Sequence, residues 1–376
     1  MSTAVRAVAL PPSTWVALSP LPNSKQGAIF GLAVNPANPT QVIAGDSNGS
    51  MFRSTDTGSS WSSVYSGTAA IIAIAFDPFV AGLILAGTQG RGALLSKDGG
   101  AHWTVTAGMD GRAVRALAFA RTVTVAATDR GVYASSDGAT WTSSGLPNSS
   151  IDAVAVVAVN APVRIVAGGD SASGALPMFQ SIDGGATWSN LSPAISGTLV
   201  TKLAAGSPPP NSEVRPLVVG TNTGLFISAD GGSTFTALSG AQLLPSTDYT
   251  QVAFTGSHFD RFYVASDGGG AGTGGLWATA DSGQHFSTLR PPVPAITALA
   301  VSPDEQPVLL VATFRAFDHA VMLWAYRDTG GTPQGPYIFV SPPATAARTD
   351  GSGASLLDLL RSMASSQVPY IAPRIE

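Results

Sequence analysis

An eight-residue phrase, Ser/Thr-x-Asp-x-Gly-x-x-aromatic, returns along the 376-residue chain and constrains its fold more than any other feature. It reads STDTGSSW at Ser54–Trp61, SKDGGAHW at Ser96–Trp103, SIDGGATW at Ser181–Trp188, SADGGSTF at Ser228–Phe235 and TADSGQHF at Thr279–Phe286; SSDGATW at Ser135–Trp141 is one residue short. The closing aromatics, Trp61, Trp103, Trp141, Trp188, Phe235 and Phe286, lie 38 to 51 residues apart. That period is the length of a four-stranded propeller blade. Three short apolar runs separated by turn residues precede each octet, as in IFGLAVNP, QVIAGDSNG and SMFRSTDTG of the first period, and the aromatic opens a fourth.

A seventh period is split between the chain ends. AITALAVSP, PVLLVATF and AVMLWAY supply three runs, and YRDTGGTP keeps Asp328, Gly330 and Thr332 but has Pro333 at the aromatic position. At the start of the chain, STWVALSPLP (Ser13–Pro22) is similar to ATWSNLSPAI (Ala186–Ile195), so Trp15 is expected to mark the missing fourth strand. Ring closure of this kind removes unpaired strand edges. The sequence therefore predicts an all-β, seven-bladed β-propeller of four-stranded blades over residues 1–340, with residues 13–20 completing the last blade. A competing closure takes PYIFVS, Pro336–Ser341, as the outer strand and leaves Trp15 outside.

An Asp in such a phrase accepts hydrogen bonds from N–H groups of its own turn, the glycines allow positive φ, and the aromatic packs between sheets. Asp56, Asp98, Asp137, Asp183, Asp230, Asp281 and Asp328 are read as turn formers. One carboxylate per octet is too few for a calcium loop. The phrase resembles the Asp-box, or bacterial neuraminidase repeat, over about residues 13–335.

In a four-stranded blade the octet turns share a face with the turns between strands one and two. The turns between strands two and three and the inter-blade loops lie on the other, here termed the loop face. Resemblance to Asp-box enzymes implies that chemistry occupies the loop face, at the channel mouth. The candidates there are Asp46, Arg91, Asp110, Arg112, Asp129, Arg130, Asp170, Asp248, Tyr249, Asp267, Arg315, Asp318 and His319.

Three relatives of the repeat imply different functions. Sialidases use an arginine cluster, an acidic aspartate and a tyrosine nucleophile partnered by a glutamate; this chain has only Glu213, Glu305 and Glu376, none expected on the loop face. Xyloglucan-cleaving propellers hold two aspartates across a cleft between tandem rings, and one ring fits this length. The photosystem II assembly and stability factor family uses a single ring as a binding platform with an arginine patch, for which Arg112, Arg115, Arg121 and Arg130 are the counterparts here. The reading is a non-catalytic scaffold or protein-interaction subunit of a larger assembly. The alternative is a glycan-binding or glycoside-hydrolysing ring using the rim aspartates. SDGGGAGTGG, Ser266–Gly275, joins two strands rather than opening a helix, and so is read as a hairpin loop instead of a phosphate cradle.

With 19 Lys+Arg against 23 Asp+Glu the chain has no basic footprint for nucleic acid, and without cysteine it has neither disulfides nor a thiolate metal site. No metal or cofactor is expected. No apolar run is long enough to span a bilayer or to form a signal-peptide core, which makes a cytoplasmic location the default, with an extracytoplasmic or peripheral one open. Residues 341–376 form a polar linker followed by ASLLDLLRSMA, whose Leu356, Leu357, Leu360 and Met363 make one apolar helical stripe. So short a helix needs a surface to dock on: its own ring, a neighbouring subunit or, least favoured by its shortage of Lys, a membrane surface.

Overall fold

The structure, a computed structural model, describes residues 10–22, 27–171, 176–191, 195–238, 243, 249–256, 258–268, 274–315 and 320–330. The tail over residues 341–376, its helical stripe, Asp248, Asp318, His319 and the alternative strand Pro336–Ser341 lie outside these residues. The described chain is all-β. It forms seven antiparallel sheets of four strands, six of them ordered sequentially from first strand to fourth. Each first strand lies against the first strands of both neighbouring blades, from blade seven back to blade one, so the sheets close into a seven-bladed β-propeller. No helix among the described residues is long and apolar enough to cross a membrane.

The seventh sheet is built from both ends of the ring. Trp15–Ala17 pairs antiparallel with the strand Ala320–Arg327, in the register Trp15 to Tyr326 and Ala17 to Trp324. Trp15 Nε1 donates to the Leu289 carbonyl at 2.8 Å, and its ring lies 4.8 Å from that of Tyr326. The edge that Ala320–Arg327 would otherwise present is thereby paired.

Burial follows strand position. The second strands, such as Ile84–Thr88, Thr124–Thr128, Leu217–Thr221 and Phe262–Ser266, are buried throughout because both faces pack against neighbouring blades. First strands such as Ile71–Phe76 and Val114–Phe119 keep partial access at their middle residues, as expected of strands around an axial opening. Their sequences share a phrase. Ala33, Ala75, Ala118, Ala155, Ala204, Ala253 and Ala300 occupy one register position, each preceded by Leu, Ile or Val. Alternate residues share a sheet face, so the first strands of blades one to four and seven have one small-residue face and one branched face, while blades five and six carry Lys202 and Gln251 beside the shared alanine.

Where both faces are present, small meets branched across the seam. Ala116 and Ala118 of blade three pack with Val154 and Val156 of blade four, and Ala153 and Ala155 of blade four with Val200 and Leu203 of blade five. The approach is close enough that a Cβ on Gly87 would overlap the Val114 carbonyl of the next blade. The octet aromatics fill the outer part of these seams. Trp61, Trp141, Trp188, Phe235 and Phe286 each join a cluster shared with the preceding blade, Trp103 joins the clusters between blades one and two, and Trp15 does the same between blades six and seven.

Candidate functional site

Six octets build one hydrogen-bonded turn. In the first, Ser54 Oγ donates to Asp56 Oδ1 at 2.7 Å and accepts from Gly58 N at 2.8 Å. Asp56 accepts in turn from Ser60 N at 2.8 Å and Ser60 Oγ at 2.6 Å. The arrangement recurs at Asp98, Asp137, Asp183, Asp230 and Asp281, with glycines such as Gly100 (φ +82°) in the left-handed region. In blades two and six a histidine closes it, with His102 Nδ1 and His285 Nδ1 each 2.6 Å from the Asp carboxylate. The Thr187 hydroxyl, then its backbone N–H and Ser181, hold Asp183 down to about 2. At Asp230 and Asp281 desolvation pulls upward but is outweighed by hydrogen bonds from Thr234 and His285, and both also lie at about 2. These carboxylates are fixed, ionised acceptors on the octet face.

Asp328 accepts from its own turn and adds a contact to the preceding blade. Tyr326 stands where the other octets have Ser or Thr, so the Ser/Thr hydroxyl bond two residues before the Asp is replaced, and Gly330 N donates to Asp328 Oδ1 at 2.8 Å. The other oxygen accepts from Tyr263 Oη at 2.6 Å and Arg261 Nη2 at 3.1 Å, both from blade six. Asp328 is therefore an inter-blade clamp. Burial, then the Asp328 charge, pushes the Tyr263 phenol far up, which makes it a donor and not a nucleophile. This network walls a cleft of about 710 Å³ on the octet face, which Asp281, His285, Arg290 and Glu305 also line.

On the loop face the first strands enter through β-bulges. The register shifts leave Phe30, Ile72, Arg115, Asp152, Thr201 and Thr297 unpaired at the start of their strands, next to the axial opening. A bulge re-aims the extra side chain. The mouth is consequently two-sided: Phe30 clusters with Ala28, Ile72 and Phe314 on blades seven, one and two, while blades three to five present Arg115, Asp152 and Thr201. Sequence reasoning missed this ring, although each repeat signals it where an apolar residue, a variable one and usually a Gly or Ala run in succession, as in IFG, IIA, VRA and IDA.

Most described rim acids already have partners. Arg115 Nη1 donates to Asp152 at 2.8 Å and to Ser150 Oγ at 2.5 Å. Asp129 accepts from Ala113 N at 3.0 Å and lies 3.5 Å from Arg112 Nη1. Asp46 is fully buried and closes its own turn by accepting from Asn48 N and Ser50 N. Asp267 and Tyr249 are buried as well, at 4% and 1% exposure, which removes both from the accessible rim. Burial pushes the Tyr249 phenol up to about 12. Arg91, Asp110, Arg130 and Asp170 are exposed. Arg315 ends the strand Val308–Arg315.

The expected arginine patch is not assembled. Arg112 and Arg115 are paired with acids on the loop face. Arg121 lies on the octet face, in the turn between strands one and two, where it covers the Phe79 ring at 4.9 Å and donates to Asn160. Among the described residues no group of three or more His, Asp or Glu side chains is arranged to hold a metal ion.

No family model matches the chain. Over 96 residues, 25% of its length, it is 33% identical to a xyloglucanase of Hypocrea jecorina (strain QM6a), a match spanning 11% of that relative. Among solved structures it resembles YCF48 from Cyanidioschyzon merolae, with a TM-score of 0.58 at 13% identity over 83% of this chain and 98% of that one. A structure of YCF48 bound to D1 peptide gives 0.58 at 16% identity, over 87% and 99%. The GH74 xyloglucanase from Xanthomonas campestris gives 0.60 at 15% identity, over 82% of this chain and 55% of that one. At these identities the likeness to the solved structures is one of fold, the seven-bladed β-propeller of four-stranded blades.

Proposed function

We propose that the chain is a non-catalytic β-propeller that docks a polypeptide on its loop face, with Asp-box turns folding the opposite face. The observation that carries this reading is the two-sided mouth, where an apolar arc of Phe30, Ile72 and Phe314 faces the polar arc of Arg115, Asp152 and Thr201. A peptide offers both an apolar side chain and backbone amides to such a surface. Glycoside cleavage instead needs two carboxylates held ready as acid and base, whereas Asp46, Asp129 and Asp152 here hold backbone N–H groups or arginines. The solved complex of YCF48 with D1 peptide is a precedent for polypeptide binding on this fold. In this reading residues 1–340 are the docking platform, and the 341–376 tail adds a second contact through Leu356, Leu357, Leu360 and Met363.

Quantitative mass spectrometry of proteins retained on the immobilised chain tests the proposal. Arg91→Glu with Arg130→Glu on the loop face is expected to lose polypeptides that the wild type and an octet-face Lys97→Glu variant both retain. Identical retention by all three rejects loop-face docking.

The alternative, a glycan-binding or glycan-cleaving ring, draws on the 96-residue identity to a xyloglucanase. It assigns the acid and base roles to exposed rim aspartates such as Asp170 and requires release of sugar from xyloglucan or another β-glucan.

A further inference from the structure

Lys202 breaks the small-residue ring. At its register position the other blades carry Gly31, Ala73, Ala116, Ala153 and Ala298, and the adjacent blade six carries Gln251. The seam beside it is full. Ala204, Val218, Tyr249 and Val252 pack together there, and a Cβ on Gly220, the cross-strand partner of Lys202, would lie 2.7 Å from the Tyr249 carbonyl. A lysine chain has no room between the sheets, so its partial solvent access places it along the axial opening. No hydrogen bond or ion pair joins the amine to any described residue, and desolvation holds its pKa below the ordinary lysine value.

Among the described residues no acid lies within ion-pair distance of this amine. Asp152 is engaged by Arg115. Gln251 Nε2 donates one hydrogen to the Thr297 carbonyl at 3.2 Å and keeps a second. A desolvated cation without a partner is costly, and an anion seated beside it offsets that cost.

We infer that the axial opening at blades five and six is a carboxylate-binding site, with Lys202 as the charge partner and Gln251 as the neutral donor. A singly charged anion matches the single lysine charge. The inference is independent of polypeptide docking, because a small organic acid would satisfy the same two groups.

The chain has three lysines, Lys25, Lys97 and Lys202, so trace acetylation read by peptide mass spectrometry resolves each. Only the neutral amine reacts, and a carboxylate beside Lys202 favours the ammonium; with labelling at a pH at least one unit below the midpoint of the Lys202 labelling profile, a one-unit rise in pKa lowers the neutral fraction about tenfold. The full chain is labelled with N-acetyl-trialanine, its C-terminal amide, or acetate present at equal ionic strength. Labelling of Lys202 is expected to fall about tenfold with the free-acid peptide but not with the amide, while Lys97 is unchanged. Gln251→Ala, checked for an unchanged melting profile, should weaken the protection severalfold. Protection by acetate as well assigns the site to small acids, and protection by the peptide alone assigns it to a polypeptide terminus. Equal labelling of Lys202 with and without the acids, or equal protection by the amide, overturns the inference.

Discussion

Tyr263 Oη donates to Asp328 Oδ2 at 2.6 Å, joining the second strand of blade six to the octet of blade seven where the ring is closed by residues distant in sequence. Both groups are buried, and Arg261 is the second donor to the same oxygen. Tyr263→Phe is expected to cost about 1–3 kcal/mol of unfolding free energy. Asp328→Ala strands Arg261 as well and should cost about 3–5 kcal/mol. Urea unfolding measures both; equal and negligible losses would show that the clamp does not hold this seam.

Closure by the N-terminal strand has its own test. Trp15 is buried and its indole donates to the Leu289 carbonyl, so Trp15→Ala should destabilise the ring by about 3–5 kcal/mol. The half-buried Trp61 occupies the corresponding octet position in blade one, and Trp61→Ala should cost less. Urea midpoints that reverse this order would count against the role of Trp15 in closure.

Close approach of the blades is tested at Gly87. An added methyl group meets backbone, which cannot swing aside, so Gly87→Ala is expected to cost about 1–3 kcal/mol through overpacking. Gly90→Ala is the control for a glycine with open space around it, although its φ of +90° adds local strain. A smaller loss at Gly87 than at Gly90 would contradict tight seam packing.

Acid stability follows from the octets. Asp183, Asp230 and Asp281 have folded-state pKa values of about 2, below the unfolded value of about 4. Their contribution is therefore present above about pH 4 and is lost as the pH falls from there towards about 2. Melting temperature should drop steeply over that window with uptake of several protons, and Asp230→Asn should flatten the drop. A melting temperature constant to pH 2 would contradict the hydrogen bonding described.

The ring was legible because its signal is repeated: octet spacing gives the blade count, and the kinship of STWVALSPLP with ATWSNLSPAI points to the strand that pairs with Ala320–Arg327. The site was less legible, for three physical reasons. Asp46 and Asp267 look like rim residues in a turn-rich sequence, yet both are buried. Arg112, Arg115 and Arg121 are close in sequence but separated by a strand that carries Arg121 to the other face. Asp328 keeps its octet position while Tyr326 stands for the usual Ser/Thr, and its second oxygen accepts from Tyr263, a contact 65 residues away that no local pattern announces.

Sugar release from xyloglucan by the purified chain decides between docking and cleavage. Release no greater than that of a heat-denatured control is expected, because rim carboxylates such as Asp129 and Asp152 hold arginines and backbone. Release that disappears in Asp129→Asn or Asp170→Asn, with the fold intact by circular dichroism, would contradict the non-catalytic reading.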